Sequence, residues 1–358
     1  MNGSSMHTQK LLCRERLGNA IDQIMTIDFQ LHWPHRIDKL YEAARNKIGK
    51  SLTLHAAEKL EKVVRPSSRI IIATGYPLRP WVSPNICEND GPPGAAVLAR
   101  ALELGLKALP ILVTEEPFID TVKAACRGAG LLPISLEEAN RAIGLQRGPI
   151  HACSVISFPI DEEKAKQTAK ELIDGTKAAA VIAVEKTGSN EKGVYHARGY
   201  DISYAVAKIP YLIEEARSRN ILTIGIGDVG DEIGMGSIGE TIKKFLSGDE
   251  TYPIAKCKCP CRGGAVDNTK TDALVVSTVS NWGAYGIAAC LSYLLRDSRV
   301  LHNGNIEKRV LRECTDASAI TGGTGGYCSP DVDDIPERIH IYLVEIMRSL
   351  VEKAIACA

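Results

Sequence analysis

The feature that most constrains this chain is a series of short apolar runs without polar alternation, each separated from the next by a stretch of helical periodicity. Arg69-Ile-Ile-Ile-Ala-Thr, Leu109-Pro-Ile-Leu-Val-Thr, Ser154-Val-Ile-Ser-Phe, Ala178-Ala-Ala-Val-Ile-Ala-Val, Ile221-Leu-Thr-Ile-Gly-Ile and Ala273-Leu-Val-Val-Ser-Thr follow in this rhythm. A strand wetted on one face alternates polar and apolar residues, so a run that does not alternate must be covered on both faces. Helical patterns over 95–106, 118–128, 162–173, 211–217 and 239–246 supply the cover. The expected fold class is α/β, a mainly parallel sheet with helices on both faces. In such sheets ligands gather beyond the carboxyl ends of the strands, so the loops there are where chemistry is sought.

Residues 1–64 have a different texture. Leu17, Ile21 and Ile24 recur at helical spacing, and Leu40 and Leu60 lie in later helical stretches. The expectation is an N-terminal helical arm over 1–64, packed on the main body or on another subunit, followed from Pro66 by an α/β catalytic domain over 65–358. A homo-oligomer is compatible with that arm. His32, Trp33 and His35 flank Pro34 and are read as a packing loop rather than a metal site.

Composition narrows the function classes. Lys plus Arg and Asp plus Glu are 43 each, for a formal net charge of zero, so no global field draws in nucleic acid or an anionic membrane. No run approaches the ~20 apolar residues of a membrane span, and the first residues lack the apolar core of a secretory signal. Eleven cysteines, an odd number scattered from Cys13 to Cys357, read as reduced thiols. The cytoplasm is the expected compartment. Arg14 and Arg16, with no acid before Glu15, leave the mitochondrial matrix as the alternative.

Five loops carry groups suited to chemistry. In Glu88-Asn-Asp-Gly-Pro-Pro-Gly-Ala-Ala, Asp90 reads as an N-cap, and the helix start beyond Gly91 as a seat for an anionic group; capping alone accounts for Asp90 and the prolines. Glu185 opens a polar loop at a strand end, with Asn190, Tyr195, His196, Arg198 and Asp201 following; Arg198 offers a planar fork for a carboxylate. Gly225-Ile-Gly-Asp-Val-Gly-Asp-Glu-Ile-Gly-Met-Gly contains the letters of a dinucleotide fingerprint. Asp228 lies inside it, however, and Asp231 and Glu232 follow at once, where they would repel a pyrophosphate. Three acids on a glycine-rich turn suit a hard divalent cation or an ammonium group better. Ser280-Asn-Trp-Gly-Ala-Tyr-Gly places Asn281 at a strand tip, able to cap the next helix, with Trp282 packing or walling a pocket. Thr321-Gly-Gly-Thr-Gly-Gly is a close-approach segment or a mobile lid, and Asp331, Asp333 and Asp334 after it are ligands or turn formers. The Lys256-Cys-Lys-Cys-Pro-Cys-Arg segment spaces Cys257, Cys259 and Cys261 two apart, unlike the C-x-x-C knuckle of zinc sites, and no fourth ligand is near in sequence. A structural reading is preferred there.

Taken together, ATGYP (73–77), ENDGPPGAA, EKTGSNEKGVYHARGYDIS, GIGDVGDEIGMG, SNWGAYGIAA and the closing GGTGG with DVDDIP resemble the D-glutamate cyclases and the bacterial proteins related to their C-terminal domain, over roughly residues 15–350. The last glycine-rich stretch and the cysteine cluster depart from the family's pattern. The animal members are mitochondrial and carry a further N-terminal domain, which is not expected in this chain. The resemblance implies a lyase that converts D-glutamate, a small dicarboxylic amino acid, to 5-oxo-D-proline and water, assisted by a divalent metal, Mn²⁺ or Mg²⁺. On that reading Asp228, Asp231 and Glu232 bind metal or ammonium, and Asp231 belongs to the catalytic set. Glu185 is the base, and Arg198 and the helix start after Asp90 and Gly91 hold the carboxylates. Asn190, Tyr195 and Asn281 contact the substrate. The rival readings are a metal-dependent phosphohydrolase, a non-catalytic small-ligand-binding protein and, against the acidic fingerprint, a nicotinamide oxidoreductase.

Overall fold

The computed structural model describes residues 3–29, 37–143, 150–246, 257–323 and 325–357; His32, Trp33, Pro34, His35 and Thr324 lie outside them. Helices α1 (Gly3–Met25), α2 (Ile37–Ile48) and α3 (Leu52–Val63) precede strand β1 (Arg69–Ala73). Then come β2 (Cys87–Glu88), α4 (Pro92–Leu106), β3 (Leu109–Thr114), α5 (Ile119–Ala129), β4 (Leu132–Pro133), α6 (Leu136–Ala142), β5 (Ala152–Ser157), α7 (Glu162–Thr176) and β6 (Ala180–Val184). A short hairpin, β7 (His196–Ala197) with β8 (Tyr200–Asp201), leads to α8 (Ile209–Ser218), β9 (Leu222–Gly227), α9 (Gly239–Leu246) and β10 (Ala273–Val276). The chain closes with α10 (Ser280–Leu294), α11 (Gly304–Asp316), β11 (Ala319–Ile320) and α12 (Glu337–Cys357).

Seven strands form one sheet in the order β10-β9-β6-β1-β3-β5-β4, every neighbouring pair parallel. The apolar runs are buried over most of their length because alternate residues feed separate cores. Ile70, Ile72, Leu112, Ile182 and Ile224 pack with α1, α3, α4, α5, α10, α11 and α12 on one face. Ile71, Ile111, Val113 and Val181 pack with α7 and α8 on the other. From β1 the order runs through β3 and β5 to one side, and through β6, β9 and β10 to the other. The crevice between the carboxyl ends of β1 and β6 is therefore the topological switch point, where open α/β sheets receive ligands. No helix among the described residues is long and apolar enough to cross a membrane.

The N-terminal helices precede the sheet and share its larger core, through Leu17, Ile21, Met25, Leu40, Leu52 and Leu60. One carboxylate ties them together. Asp22 of α1, fully buried, accepts from Leu52 N at 2.7 Å, Thr53 N at 3.2 Å, Thr53 Oγ1 at 2.5 Å and Ser51 Oγ at 3.0 Å at the start of α3, and from Tyr41 Oη of α2 at 2.8 Å. Burial and the Asp22 charge together push the Tyr41 phenol above its ordinary range. Removing an ionised acceptor strands several buried donors at once. Asp22→Ala is expected to cost about 3 kcal/mol or more, and Asp22→Asn roughly half that. Urea denaturation checks this; wild-type midpoints for both variants contradict it.

Candidate functional site

Six loops converge on the switch point, and each brings a carboxylate or a hydroxyl. Tyr76 follows β1, Glu88 ends β2 and Asp90 comes just after it. Glu185 follows β6, and Asp228, Asp231 and Glu232 follow β9. Ser280 begins α10, and Asp333 lies beyond β11, whose parallel pairing of Ile320 with Glu88 joins the last loop to the second. All seven carboxylates are buried, at 0–8% exposure. Carboxylate oxygens of Glu185, Asp228 and Glu232 lie within 4.8 Å of one another, and so do those of Asp90, Asp228 and Asp333. Asp228 belongs to both triads.

Local backbone chemistry puts these groups in place. Glu185 has a φ of 43°, a left-handed conformation that costs a non-glycine residue roughly 1 kcal/mol or more. Its carboxylate accepts from Ser280 Oγ at 2.6 Å. The next residue, Lys186, takes the opposite direction and is fully buried in an ion pair with Glu115, also donating to Gly75 O at 2.6 Å. Glu232 folds back over its own turn, where its carboxylate accepts from Gly230 N at 2.9 Å and Val229 N at 3.3 Å. A Cβ at Gly227 would lie 2.7 Å from the Glu232 Cβ. The fingerprint-like glycines therefore make room for the acidic turn itself, and no helix starts until the short 3₁₀ turn Met235–Ser237 and then α9.

Asp90 and Asn281 cap helices, but crosswise. The Asp90 carboxylate accepts from Ser280 N and Asn281 N, both at 2.8 Å, at the start of α10. The Asn281 Oδ1 accepts from Gly91 N at 3.0 Å and Gly94 N at 2.6 Å at the start of α4. This corrects the expectation that each residue caps its own helix. It also closes the start of α4 to an anionic group, because Pro92 and Pro93 have no N–H and the two glycine N–H groups are taken. Gly91 has a φ of 101°, and a Cβ there would meet the Glu185 Cβ at 2.9 Å, so only glycine serves.

The remaining expected residues separate. Arg198 sits at the turn of the β7–β8 hairpin with a φ of 50°, and its charge acts on Glu88. Asn190 has both ends of its amide engaged: Nδ2 donates to Gly264 O at 2.7 Å, and Oδ1 accepts from Lys192 N and Val194 N. Tyr195 packs in a small cluster with Tyr76, Ala197, Ile202 and Val206, its ring beneath Lys208. Asp231 belongs to neither triad; its carboxylate lies 3.2 Å from the Tyr76 hydroxyl. Asp331 caps α12 through Glu337 N at 2.8 Å, and Asp334 accepts from Gly325 N at 3.0 Å, so Asp333 alone of those three joins a triad. Trp282 is fully buried and donates to His340 Nδ1 at 2.8 Å, a packing role. Tyr76, Ser280 and the Lys186–Glu115 pair were not singled out in the sequence; the ATGYP and SNWGAYG motifs contained the first two without marking them.

So many acids in a dry space resist ionisation. Burial, then the Asp90 charge, pushes Glu88 up to about 8, against a lowering pull from Arg198. Burial pushes Asp90 up to about 7, although three backbone N–H groups lower it. Glu185, Asp228, Asp231 and Asp333 are all raised well above the carboxylate range, by burial first and neighbouring acids second. Two buried oxygens, Asp228 Oδ1 and Asp231 Oδ1, have no hydrogen-bond partner. An all-oxygen donor set with such oxygens fits a hard divalent cation, and Asp228, with Asp90 and Asp333 or with Glu185 and Glu232, is where one would rest.

Comparison with known proteins identifies the family. A profile described as "D-glutamate cyclase-like, C-terminal" matches residues 35–348. The chain is similar to "D-glutamate cyclase, mitochondrial" of Homo sapiens, 26% identical over 243 residues, which are 67% of this chain and 35% of that protein. The chain thus spans about a third of the length of that curated relative. The profile match takes in all six site loops, and by it the chain belongs to the D-glutamate cyclase-like, C-terminal family.

Proposed function

We propose that this protein is a lyase that closes D-glutamate to 5-oxo-D-proline and water, with Mn²⁺ or Mg²⁺ at the acidic pocket. The observation that carries the reading is the convergence of Glu185, Asp228 and Glu232 with Asp90 and Asp333 at the switch point. D-Glutamate would bring two carboxylates and one ammonium to a cluster that already holds seven acids, with Arg198 as a nearby cation. When bound, a divalent cation supplies the positive charge that admits the γ-carboxylate and makes its carbon electrophilic.

The chain's own residues do the rest. Arg198 pairs with the α-carboxylate through its planar fork. Glu185 takes a proton from the ammonium so that nitrogen can attack the γ-carbon. Ser280 Oγ fixes its direction. A C–N bond forms and a C–O bond breaks. Nitrogen loses two protons overall, and both end on the departing oxygen as water. Asp231, hydrogen-bonded to Tyr76, is placed to hold the second proton in transit. Folding the substrate so that nitrogen meets the γ-carbon supplies the proximity advantage.

Incubation with D- or L-glutamate, with and without Mn²⁺, followed by mass spectrometry for the lactam, tests the reading; lactam from D-glutamate is expected. Phosphate-monoester cleavage without lactam would instead support a phosphohydrolase, and melting shifts without turnover a binding protein. Glu185→Gln and Asp228→Asn should each lower kcat by about 10²–10⁴ while leaving the fold intact. Full turnover in both removes the assignment.

A second prediction concerns pH. Glu88 and Asp90 keep protons to about 8 and about 7 in the fold, against ordinary values of 4.5 and 3.8. The folded state therefore binds more protons than the unfolded chain between these limits. The stability from this source is complete below about pH 4 and is lost as pH rises through 7 to 8. The metal-free melting temperature is expected to fall between about pH 5 and 8, and Mn²⁺ to restore it most at the alkaline end. A flat profile, or no recovery with Mn²⁺, contradicts the proposed cation site.

A further inference from the structure

Beside the acidic pocket lies a second cluster with different chemistry. Cys257, Cys259 and Cys261 bring their sulfurs together: 3.1 Å separates Cys259 from Cys261, and 3.4 Å separates each of them from Cys257. The fourth member is His196, 63 residues upstream of Cys259. Its Nε2 lies 3.2 Å from Cys259 Sγ and 3.7 Å from Cys261 Sγ. All four donor atoms fall within 4.8 Å of one another, with His196 buried and the cysteines half-buried. The two-apart spacing argued against a zinc knuckle only while the ligands were sought in one stretch of chain. The fold supplies the histidine from the β7–β8 hairpin.

We propose that His196, Cys257, Cys259 and Cys261 form a structural Zn²⁺ site, distinct from the acidic pocket. Three thiolates and one imidazole are a soft donor set that selects zinc over Mn²⁺ or Mg²⁺. With Zn–S near 2.3 Å, ideal tetrahedral geometry puts sulfurs about 3.8 Å apart, so the observed cup needs to open by about 0.4 Å at Cys257 and about 0.7 Å between Cys259 and Cys261. Four protein ligands make a closed site with no coordination position for substrate. The surroundings suit thiolates: Gly263 N donates to Cys261 Sγ at 3.3 Å and Asn190 Nδ2 donates to it at 3.4 Å.

The site's work is to clamp. Lys258 N donates to Gly199 O at 2.7 Å, and the Lys258 ammonium lies over the Tyr200 ring. The His196 carbonyl accepts from Tyr76 Oη at 2.9 Å. The metal would pin the 257–264 segment to the hairpin whose turn carries Arg198, and so fix that guanidinium at the rim of the pocket.

The test is metal analysis of the full chain purified under reducing conditions without added metal. Stoichiometric zinc is expected. It should be lost in Cys259→Ser and His196→Ala, and kept in Asp228→Asn and in Cys328→Ser, which removes an exposed thiol outside the cluster. Should the first two variants not fold, the wild type decides: chelator-stripped protein titrated with Co²⁺ should give the intense visible bands and sulfur-to-metal charge transfer of a tetrahedral thiolate site. Absence of zinc and of that spectrum, zinc retained in folded Cys259→Ser, or iron with acid-labile sulfide in place of zinc overturns the proposal. None of these readouts depends on turnover of D-glutamate.

Discussion

The crossed caps between Asp90 and Asn281 are the constraint from which the rest of the site follows. Two helix N-termini meet at the switch point, and each lends the other the acceptor that it lacks. Capping across helices ties α4 to α10 at the level where β6 and β9 end. Because α10 is buried along nearly its whole length, neither helix start can shift without stranding several N–H groups in a dry core. Ser280, which orients Glu185, is seated by the same bonds.

On that rigid floor the fold accepts a cost. A lone buried carboxylate is unfavourable by several kcal/mol, and other acids packed around it compound the penalty. The relief available inside the fold is partial: backbone N–H groups for Asp90 and Glu232, a serine hydroxyl for Glu185, a phenol for Asp231 and the field of Arg198 for Glu88. What remains unrelieved raises the proton affinity of Glu88, Asp90, Glu185, Asp228, Asp231 and Asp333. Stability surrendered in this way is typical of places where chemistry is done.

The sheet was legible because its signal is local. Non-alternating runs such as Ile70–Ile72 and 180–184 are forced by cover on both faces, and the strands fall at those runs. The acidic loops were legible too, since acids crowded among glycines at strand ends repel one another and so stand out as more than turn formers. What the chain did not disclose is partnership across long separations. Whether Asp90 caps α4 or α10, and whether Asn281 faces its own helix or another, depends on a meeting 190 residues away in sequence. Tyr76 looked like one aromatic among many until Asp231 came against it. Asn190 and Tyr195 stand in the loop most crowded with polar groups, yet one is occupied by a turn and the other by packing, a division that loop composition does not express. His196 and the three cysteines show the same limit: spacing along the chain rules out a local knuckle and is silent about ligands delivered by a distant hairpin.

The buried pair of Lys186 and Glu115 has a consequence of its own. Glu185 and Lys186 are adjacent in the chain, yet their side chains serve different partners. Lys186 is committed to the far side of β1, held by Glu115 and the Gly75 carbonyl. That counter-charge is thereby withheld from the acids, and the charge balance among them falls to Arg198 and to the protons they share. Two neighbouring residues of opposite sign are thus kept from cancelling each other, and the local field at the strand tip stays negative.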